Sequence, residues 1–247
     1  MVAPVVASTA RAQSTAAERI AVGDRESGAR HSAAAYAQFE AAVAIDPHSY
    51  PALWRAAREA VDLGEVERDA AARFTLYQHA TDYARRAVAE NPGDAEGYFH
   101  LARALGRTAL SVGVRERVKY ATDIRTNALR ALSLSPRHPG ALHVMGVWNA
   151  EVMRLNGIAR AFARTFLGGQ AFNSASWANA TRYMEQSVAA DPNRLVHRLD
   201  LARVYRDTGH SVEARAAYEA ALRLPNIDAN DDMYRRAAAD ELRALRQ

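Results

Sequence analysis

Five prolines, each placed just after an alanine-rich helical stretch, constrain this chain more than any other feature of its sequence. Proline cannot donate the helical hydrogen bond and restricts the residue before it, so each one predicts the end of a helix. Between them, apolar residues recur at i, i+3, i+4 and i+7, the periodicity of a helix. We therefore predict an all-α chain. The five sites are Ile45-Asp46-Pro47, Glu90-Asn91-Pro92, Leu134-Ser135-Pro136, Ala190-Asp191-Pro192 and Arg223-Leu224-Pro225.

Small or apolar residues recur in register after four of these prolines, at the sixth, ninth, tenth and thirteenth positions. The tenth position is always small and lets a second helix approach closely; its residues are Ala57, Ala102, Gly146 and Ala202. The clearest unit runs from Leu201-Ala202 to Ala221-Leu222 and closes 33 residues after Pro192. It is similar to the tetratricopeptide repeat, a helix–turn–helix unit of about 34 residues. This similarity implies a tetratricopeptide-like solenoid of helical hairpins, coiled as a right-handed superhelix.

The earlier repeats are longer than this unit. The intervals between successive prolines are 45, 44 and 56 residues, which predicts elongated repeats. The 56-residue interval predicts a long helix over 139–155, then a short amphipathic helix over 157–167 and a stop at Gly168-Gly169. The predicted fold is thus a solenoid with elongated repeats and one inserted short helix.

A more specific resemblance rests on three motifs in the second half of the chain. They are His143-x-x-Gly146-x-Trp148, Ala161-x-x-x-x-Phe166-Leu167-Gly168 and Leu201-Ala202-x-x-Tyr205-x-x-x-Gly209. In this order they resemble the regulator of microtubule dynamics family, over residues 80–245 and most strongly over 138–226. The resemblance implies a helical-repeat protein without established catalytic chemistry, associated with microtubules and, in some members, with lipid handling. We carry over only the fold and an expectation of ligand binding.

The first thirteen residues have the composition of a leader. Ala10-Arg11-Ala12 is a small-x-small pattern of the kind that signal peptidase cleaves, and a short apolar stretch over 2–7 precedes it. Residues 1–13 are thus either the end of a signal peptide or a disordered leader. The first alternative predicts export to the periplasm or outside the cell, and the second predicts a cytoplasmic protein. Residues 14–247 are predicted to form a single repeat domain.

Positive charge is concentrated in the middle of the chain. Residues 97–184 carry 12 basic and 3 acidic side chains, whereas the whole chain carries 32 and 28. An anionic partner should therefore be drawn to the centre. Candidate residues for gripping a carboxylate or an acidic segment are Arg103, Arg107, Arg125 and Arg130.

The sequence shows no pattern typical of an enzyme. It contains no cysteine, its eight histidines form no metal-binding pair, and it has no phosphate-binding loop, dinucleotide fingerprint or nucleophile elbow. Lys119 is its only lysine, which leaves one candidate for Schiff-base chemistry. We predict a non-enzymatic protein without cofactor or metal.

Two function classes remain. The first is a scaffold whose concave face binds a protein or peptide partner of acidic character. The second is a carrier of lipid or another apolar anionic ligand. In that class the basic amphipathic segment that contains Arg160, Phe162, Arg164 and Phe166 touches an anionic membrane surface. Nucleic acid is disfavoured because aromatic residues do not alternate with the basic ones. The oligomeric state is left open.

Overall fold

The computed structural model describes residues 14–155 and 172–245, and these residues form helices joined by short turns. No residue in these two ranges belongs to a β-strand. The predicted all-α fold is thereby confirmed. The helices are α1 (Ala16–Gly28), α2 (Ser32–Ile45), α3 (Tyr50–Val66), α4 (Ala70–Glu90), α5 (Ala95–Leu110), α6 (Val114–Leu134), α7 (Pro139–Arg154), α8 (Trp177–Ala190), α9 (Leu195–Asp207), α10 (Ser211–Arg223) and α11 (Asp231–Ala244).

Each of the five prolines follows a helix end, as predicted. Helices α2, α4, α6, α8 and α10 all end two residues before a proline. After the first four, a backbone N–H donates to the carbonyl oxygen three residues earlier, at distances of 3.0 to 3.4 Å, which closes a tight turn. The next helix begins directly after this turn. The donor and acceptor pairs are Ser49 and Asp46, Asp94 and Asn91, His138 and Ser135, and Arg194 and Asp191.

Successive helices pair as antiparallel hairpins, from α1 with α2 to α9 with α10. The odd-numbered helices also pack on one another in a row, from α1 through α3, α5, α7 and α9 to α11. Each hairpin therefore stacks on the next, which is the arrangement of a helical-repeat solenoid. This confirms the predicted tetratricopeptide-like architecture.

The register of small residues explains how closely the hairpins pack. Ala57, Ala102 and Ala202 are completely buried, and Gly146 is buried as well. A Cβ atom built on Gly146 would lie 2.7 Å from Cγ of Met184 in α8. The absence of a side chain at Gly146 therefore lets α7 and α8 approach each other.

The 56-residue interval between Pro136 and Pro192 begins with α7, as predicted. Residues 172–176, which precede α8, pack against α7. Phe172 is buried, and its ring centroid lies 6.1 Å from that of Trp148. Oδ1 of Asn149 accepts a hydrogen bond from the backbone N–H of Ser176 at 3.2 Å. The chain is thus fixed to α7 before α8 begins. The short helix predicted over 157–167 and the leader predicted over 1–13 lie outside the described residues and stay predictions.

Within the described ranges, none of the helices combines the length and the apolar composition needed to span a bilayer.

Two glycine-to-alanine substitutions should have opposite effects on stability. Gly106→Ala lies inside α5 with no atom within 4 Å of the new Cβ, so it should stabilise the fold by about 0.5–1 kcal/mol. Gly146→Ala should destabilise it by about 1–3 kcal/mol, because the new Cβ overlaps the buried Met184. Urea unfolding of both variants and the wild type measures these changes. A Gly146→Ala variant more stable than the wild type would show that the α7–α8 contact tolerates a side chain.

Candidate functional site

A cavity of about 490 Å³ lies on the inner face of the solenoid. We call this surface the inner groove. Residues from α3, α5, α7, α9 and α11 form most of its wall, and residues from α6 and α8 complete it, so it extends over several repeats. Its apolar wall includes Trp54, Phe99, Val144, Val147, Trp148 and Phe172.

A cluster of polar side chains, here called the clasp, lies at one side of the inner groove. It consists of Asp62 and Glu65 from α3, Arg103 and Arg107 from α5, Asn230, and Tyr234 from α11. Nη2 of Arg103 lies 2.5 Å from Oδ1 of Asp62 and 3.0 Å from Oε1 of Glu65. Nη2 of Arg107 lies 2.8 Å from the same Glu65 oxygen. The two arginines thus neutralise the two carboxylates.

The other half of the clasp reaches the C-terminal helix. The Tyr234 hydroxyl donates to Oε2 of Glu65, and Nδ2 of Asn230 donates to the same oxygen at 3.0 Å. Nδ2 of Asn230 also donates to the backbone carbonyl of Asp62 at 2.9 Å. Burial alone would raise the pKa of Glu65, but Arg107, Arg103 and these hydrogen bonds lower it to about 2. Glu65 is therefore ionised and fully paired at neutral pH.

A second polar group joins α5 to the turn before α7. Oε2 of Glu96 lies 3.4 Å from Nε2 of His100, and Oε1 lies 3.3 Å from Nε2 of His138. The His100 ring stacks on Trp54 with the ring centroids 5.4 Å apart. Burial lowers the pKa of His100 to about 4, and the Glu96 carboxylate opposes this only in part. His100 is thus neutral, and its Nδ1 has no hydrogen-bond partner among the described residues.

A third polar group joins α7 to α9. Nε2 of His143 lies 2.7 Å from Oδ2 of Asp200, and Oδ1 of Asp200 accepts from Arg203 at 2.8 Å. Burial would raise the pKa of Asp200, but these two partners hold it well below its ordinary value. His197 stacks on His143 with centroids 4.7 Å apart, and burial keeps its own pKa well below the usual range. Four of the eight histidines thus line the groove, each within a polar cluster.

The four arginines predicted to grip a partner occupy two separate places. Arg103 and Arg107 line the inner groove but are already paired within the clasp. Arg125 and Arg130 lie on α6, the outer helix of the same hairpin. The guanidinium carbons of Arg125 and Arg130 lie 5.9 Å and 5.7 Å from the ring centroids of Trp148 and Tyr98. The structure therefore does not bring the four together.

The other predicted site residues, Arg160, Phe162, Arg164 and Phe166, lie outside the described residues. Their role in touching a membrane or an apolar ligand stays a prediction.

The sequence prediction missed most of the groove, although a signal for part of it was present. The seventh, eleventh and fifteenth residues after a proline follow one another at intervals of four and so lie on one side of the helix. This side differs from the one that carries the packing residues at the sixth, ninth, tenth and thirteenth positions. After three prolines, all of these residues line the groove: Trp54, Arg58, Asp62, Phe99, Arg103, Arg107, His143, Val147 and Glu151. No such register marks Glu65, Asn230 or Tyr234, because their contacts join segments more than 160 residues apart.

The groove combines an apolar wall, paired charges and buried hydrogen-bonding groups, which are the features of a site that binds a ligand. Within the described ranges, no three histidine, aspartate or glutamate side chains are placed so that they could hold a metal ion.

A family model described as "Regulator of microtubule dynamics protein 1-3" matches residues 9–246 of this chain. Regulator of microtubule dynamics protein 3 of Bos taurus is 22% identical over 184 residues, which are 74% of this chain and 39% of that protein. Regulator of microtubule dynamics protein 1 of Mus musculus is 23% identical over 142 residues, 57% of this chain and 46% of that protein. The alignments thus span less than half the length of these relatives.

Two solved structures have similar folds. TTC0263, a thermophilic tetratricopeptide repeat protein of Thermus thermophilus, superposes with a TM-score of 0.66 at 20% identity, covering 91% of this chain and 99% of that one. The pilF protein of Pseudomonas aeruginosa superposes with a TM-score of 0.51 at 17% identity, covering 93% of this chain and 86% of that one. Both comparisons concern the fold alone.

Lowering the pH from 7 to 5 should destabilise the fold in part through His100. Its pKa is about 4 in the folded chain and 6.5 ordinarily, so between these values the unfolded chain binds a proton that the folded chain does not. Stability is therefore lost as the pH falls from 6.5 towards 4. The loss from this group is about 2 kcal/mol at pH 5. Urea unfolding at pH 7, 6 and 5 measures it.

The matched variant for this prediction is His100→Gln, which replaces the ring with a polar side chain that does not titrate. We expect it to be less stable than the wild type at pH 7, because the stacking on Trp54 is lost. The stability difference between the two proteins should shrink by about 2 kcal/mol at pH 5. If the difference in unfolding free energy between the two proteins did not change with pH, the predicted loss of stability through His100 would be wrong.

Proposed function

Because this chain belongs to the family of regulator of microtubule dynamics proteins 1–3, we propose that it is a non-catalytic scaffold that binds a protein or peptide partner in its inner groove. Its tetratricopeptide-like solenoid is typical of protein-interaction scaffolds. Repeat proteins present an extended surface built from equivalent positions of successive repeats. A binding role follows more directly from such a surface than a catalytic one.

The observation that carries the proposal is the continuous cavity that extends along α3, α5, α7, α9 and α11. Its volume of about 490 Å³ lies within the 300–1,000 Å³ typical of ligand pockets. A pocket of this size holds a few side chains of an extended segment. The apolar wall formed by Trp54, Phe99, Val147 and Trp148 would bury the partner's apolar side chains. The histidine and carboxylate groups would fix its orientation by hydrogen bonds.

The arginines of the clasp bear on the prediction that the partner is acidic. Arg103 and Arg107 are charge-paired with Asp62 and Glu65, so an acidic side chain would meet two positive charges that are already balanced by two negative ones. Elsewhere in the groove, His143 and Arg203 share the Asp200 carboxylate. These compensated charges support a partner segment that combines apolar with hydrogen-bonding side chains. We retain acidic character as a secondary feature of the proposed partner.

A second candidate function is binding of lipid or another apolar anionic ligand in the same groove. The observation that favours it is the composition of the wall between α5, α6 and α7, where Ile124, Val144, Trp148 and Phe172 lie together. Arg117 and Arg154 line the same cavity and would lie near an anionic head group. Both carry Glu151 as a partner, at 3.2 Å and 2.7 Å.

Filling the groove should abolish partner binding. A peptide is selected on the full chain from a random display library, and its affinity is measured by isothermal titration calorimetry. Val147→Trp places a large ring in the cavity and should weaken binding at least tenfold. The matched control Val212→Trp changes a valine that is 79% exposed on the outer helix α10 and should leave the affinity within twofold. Equal affinities for Val147→Trp and the wild type would rule out the inner groove.

Native mass spectrometry separates the second candidate from the first. If the groove carries an apolar anionic ligand, the wild type purified without detergent should retain a bound species of several hundred daltons. Val147→Trp should lose that species and Val212→Trp should keep it. A wild-type mass equal to the chain alone would exclude a carrier role under these conditions.

A further inference from the structure

The clasp joins two parts of the solenoid that the repeat architecture by itself keeps apart. In a solenoid each repeat contacts its neighbours in the stack. Here α11, which follows the last hairpin, is hydrogen-bonded to α3 of the second hairpin through Asn230 and Tyr234. From this geometry we propose that the clasp is a releasable latch that sets the aperture of the inner groove by holding the C-terminal end against α3.

The two sides of α11 have different chemistry. Its apolar side packs on α9 and α10, where Ala238 and Leu242 lie in the same core cluster as Leu199 and Tyr218. Towards α3 and α5 it presents the Tyr234 hydroxyl, with the neighbouring Asn230 amide. The apolar core therefore holds α11 to its own end of the solenoid, and the hydrogen bonds of Asn230 and Tyr234 hold that end to α3.

The latch can open without leaving a buried charge uncompensated. Glu65 is paired with Arg103 and Arg107, which belong to the next hairpin along the stack. These ion pairs remain when Asn230 and Tyr234 withdraw. Removing one partner of a buried ion pair is strongly destabilising, whereas losing a hydrogen bond from an uncharged donor to a carboxylate costs less. Ion pairs thus join α3 to α5, whereas hydrogen bonds join α11 to α3. In the proposed latch, α11 is therefore the part that moves, and α3 and α5 stay in place.

Opening the latch would widen the groove at the side where Asp62, Asn230 and Tyr234 form part of its wall. A partner segment longer than the closed cavity accommodates would then enter between α3 and α11. This use of the latch rests on the proposed function. The latch itself does not, and it is tested without any partner.

The test uses spin-label distances, because the chain contains no cysteine and two introduced ones are labelled uniquely. Val66→Cys at the end of α3 and Arg236→Cys on α11 replace exposed residues on the two sides of the clasp. Double electron–electron resonance then measures the distance between the labels. The labelled protein with an intact clasp should give one narrow distribution. Adding Asn230→Ala and Tyr234→Phe should lengthen the mean distance by several ångströms and broaden the distribution.

The matched control is Tyr218→Phe. It removes a tyrosine hydroxyl that donates to Oε2 of Glu241 at 2.8 Å between the adjacent helices α10 and α11, and it should leave the distribution narrow. If the double variant loses its helical circular dichroism, Tyr234→Phe alone decides, because it keeps the packed ring. An unchanged distribution in a folded clasp variant, or equal broadening in Tyr218→Phe, would overturn the proposal.

Discussion

The inability of proline to donate a helical hydrogen bond organises this structure. Each of five prolines follows a helix end by two residues, and four of them lie in the same tight turn. The spacing of the prolines therefore fixes how long each hairpin is and where the next one starts. Small residues at a constant distance after the turns, such as Ala102 and Gly146, then let neighbouring helices pack closely. The stacked hairpins leave one continuous inner surface.

The inner groove combines polar groups with an apolar wall, and its charges are compensated within the chain. Glu65 forms ion pairs with Arg103 and Arg107, and Asp200 forms an ion pair with Arg203 and a hydrogen bond with His143. Pairing of this kind keeps buried carboxylates ionised without requiring a ligand. Five of the twelve basic residues in 97–184 form ion pairs with carboxylates of the same chain; they are Arg103, Arg107, Arg117, Lys119 and Arg154. The composition of a segment is a poor guide to the charge that a partner meets.

Most of the fold could be predicted from the sequence because it depends on local signals. Proline positions and the register of small residues are visible within a single hairpin, and they predicted the helix ends at Ile45, Glu90 and Ala190. The groove could be predicted only in part. Arg103 and Arg107 were identified as candidates, but their partners Glu65 and Tyr234 come from other repeats. Contacts between such distant segments depend on the curvature of the solenoid, which no local pattern encodes.

The central claim is that the inner groove is the surface that recognises a partner. Hydrogen–deuterium exchange of the full chain, with and without a selected peptide at saturation, tests it most directly. The account predicts that slowed exchange is concentrated in α3, α5, α7 and α9, which line the groove, with little change in α2, α4 and α10, which contribute no residue to it. Slowed exchange confined to those outer helices would contradict it.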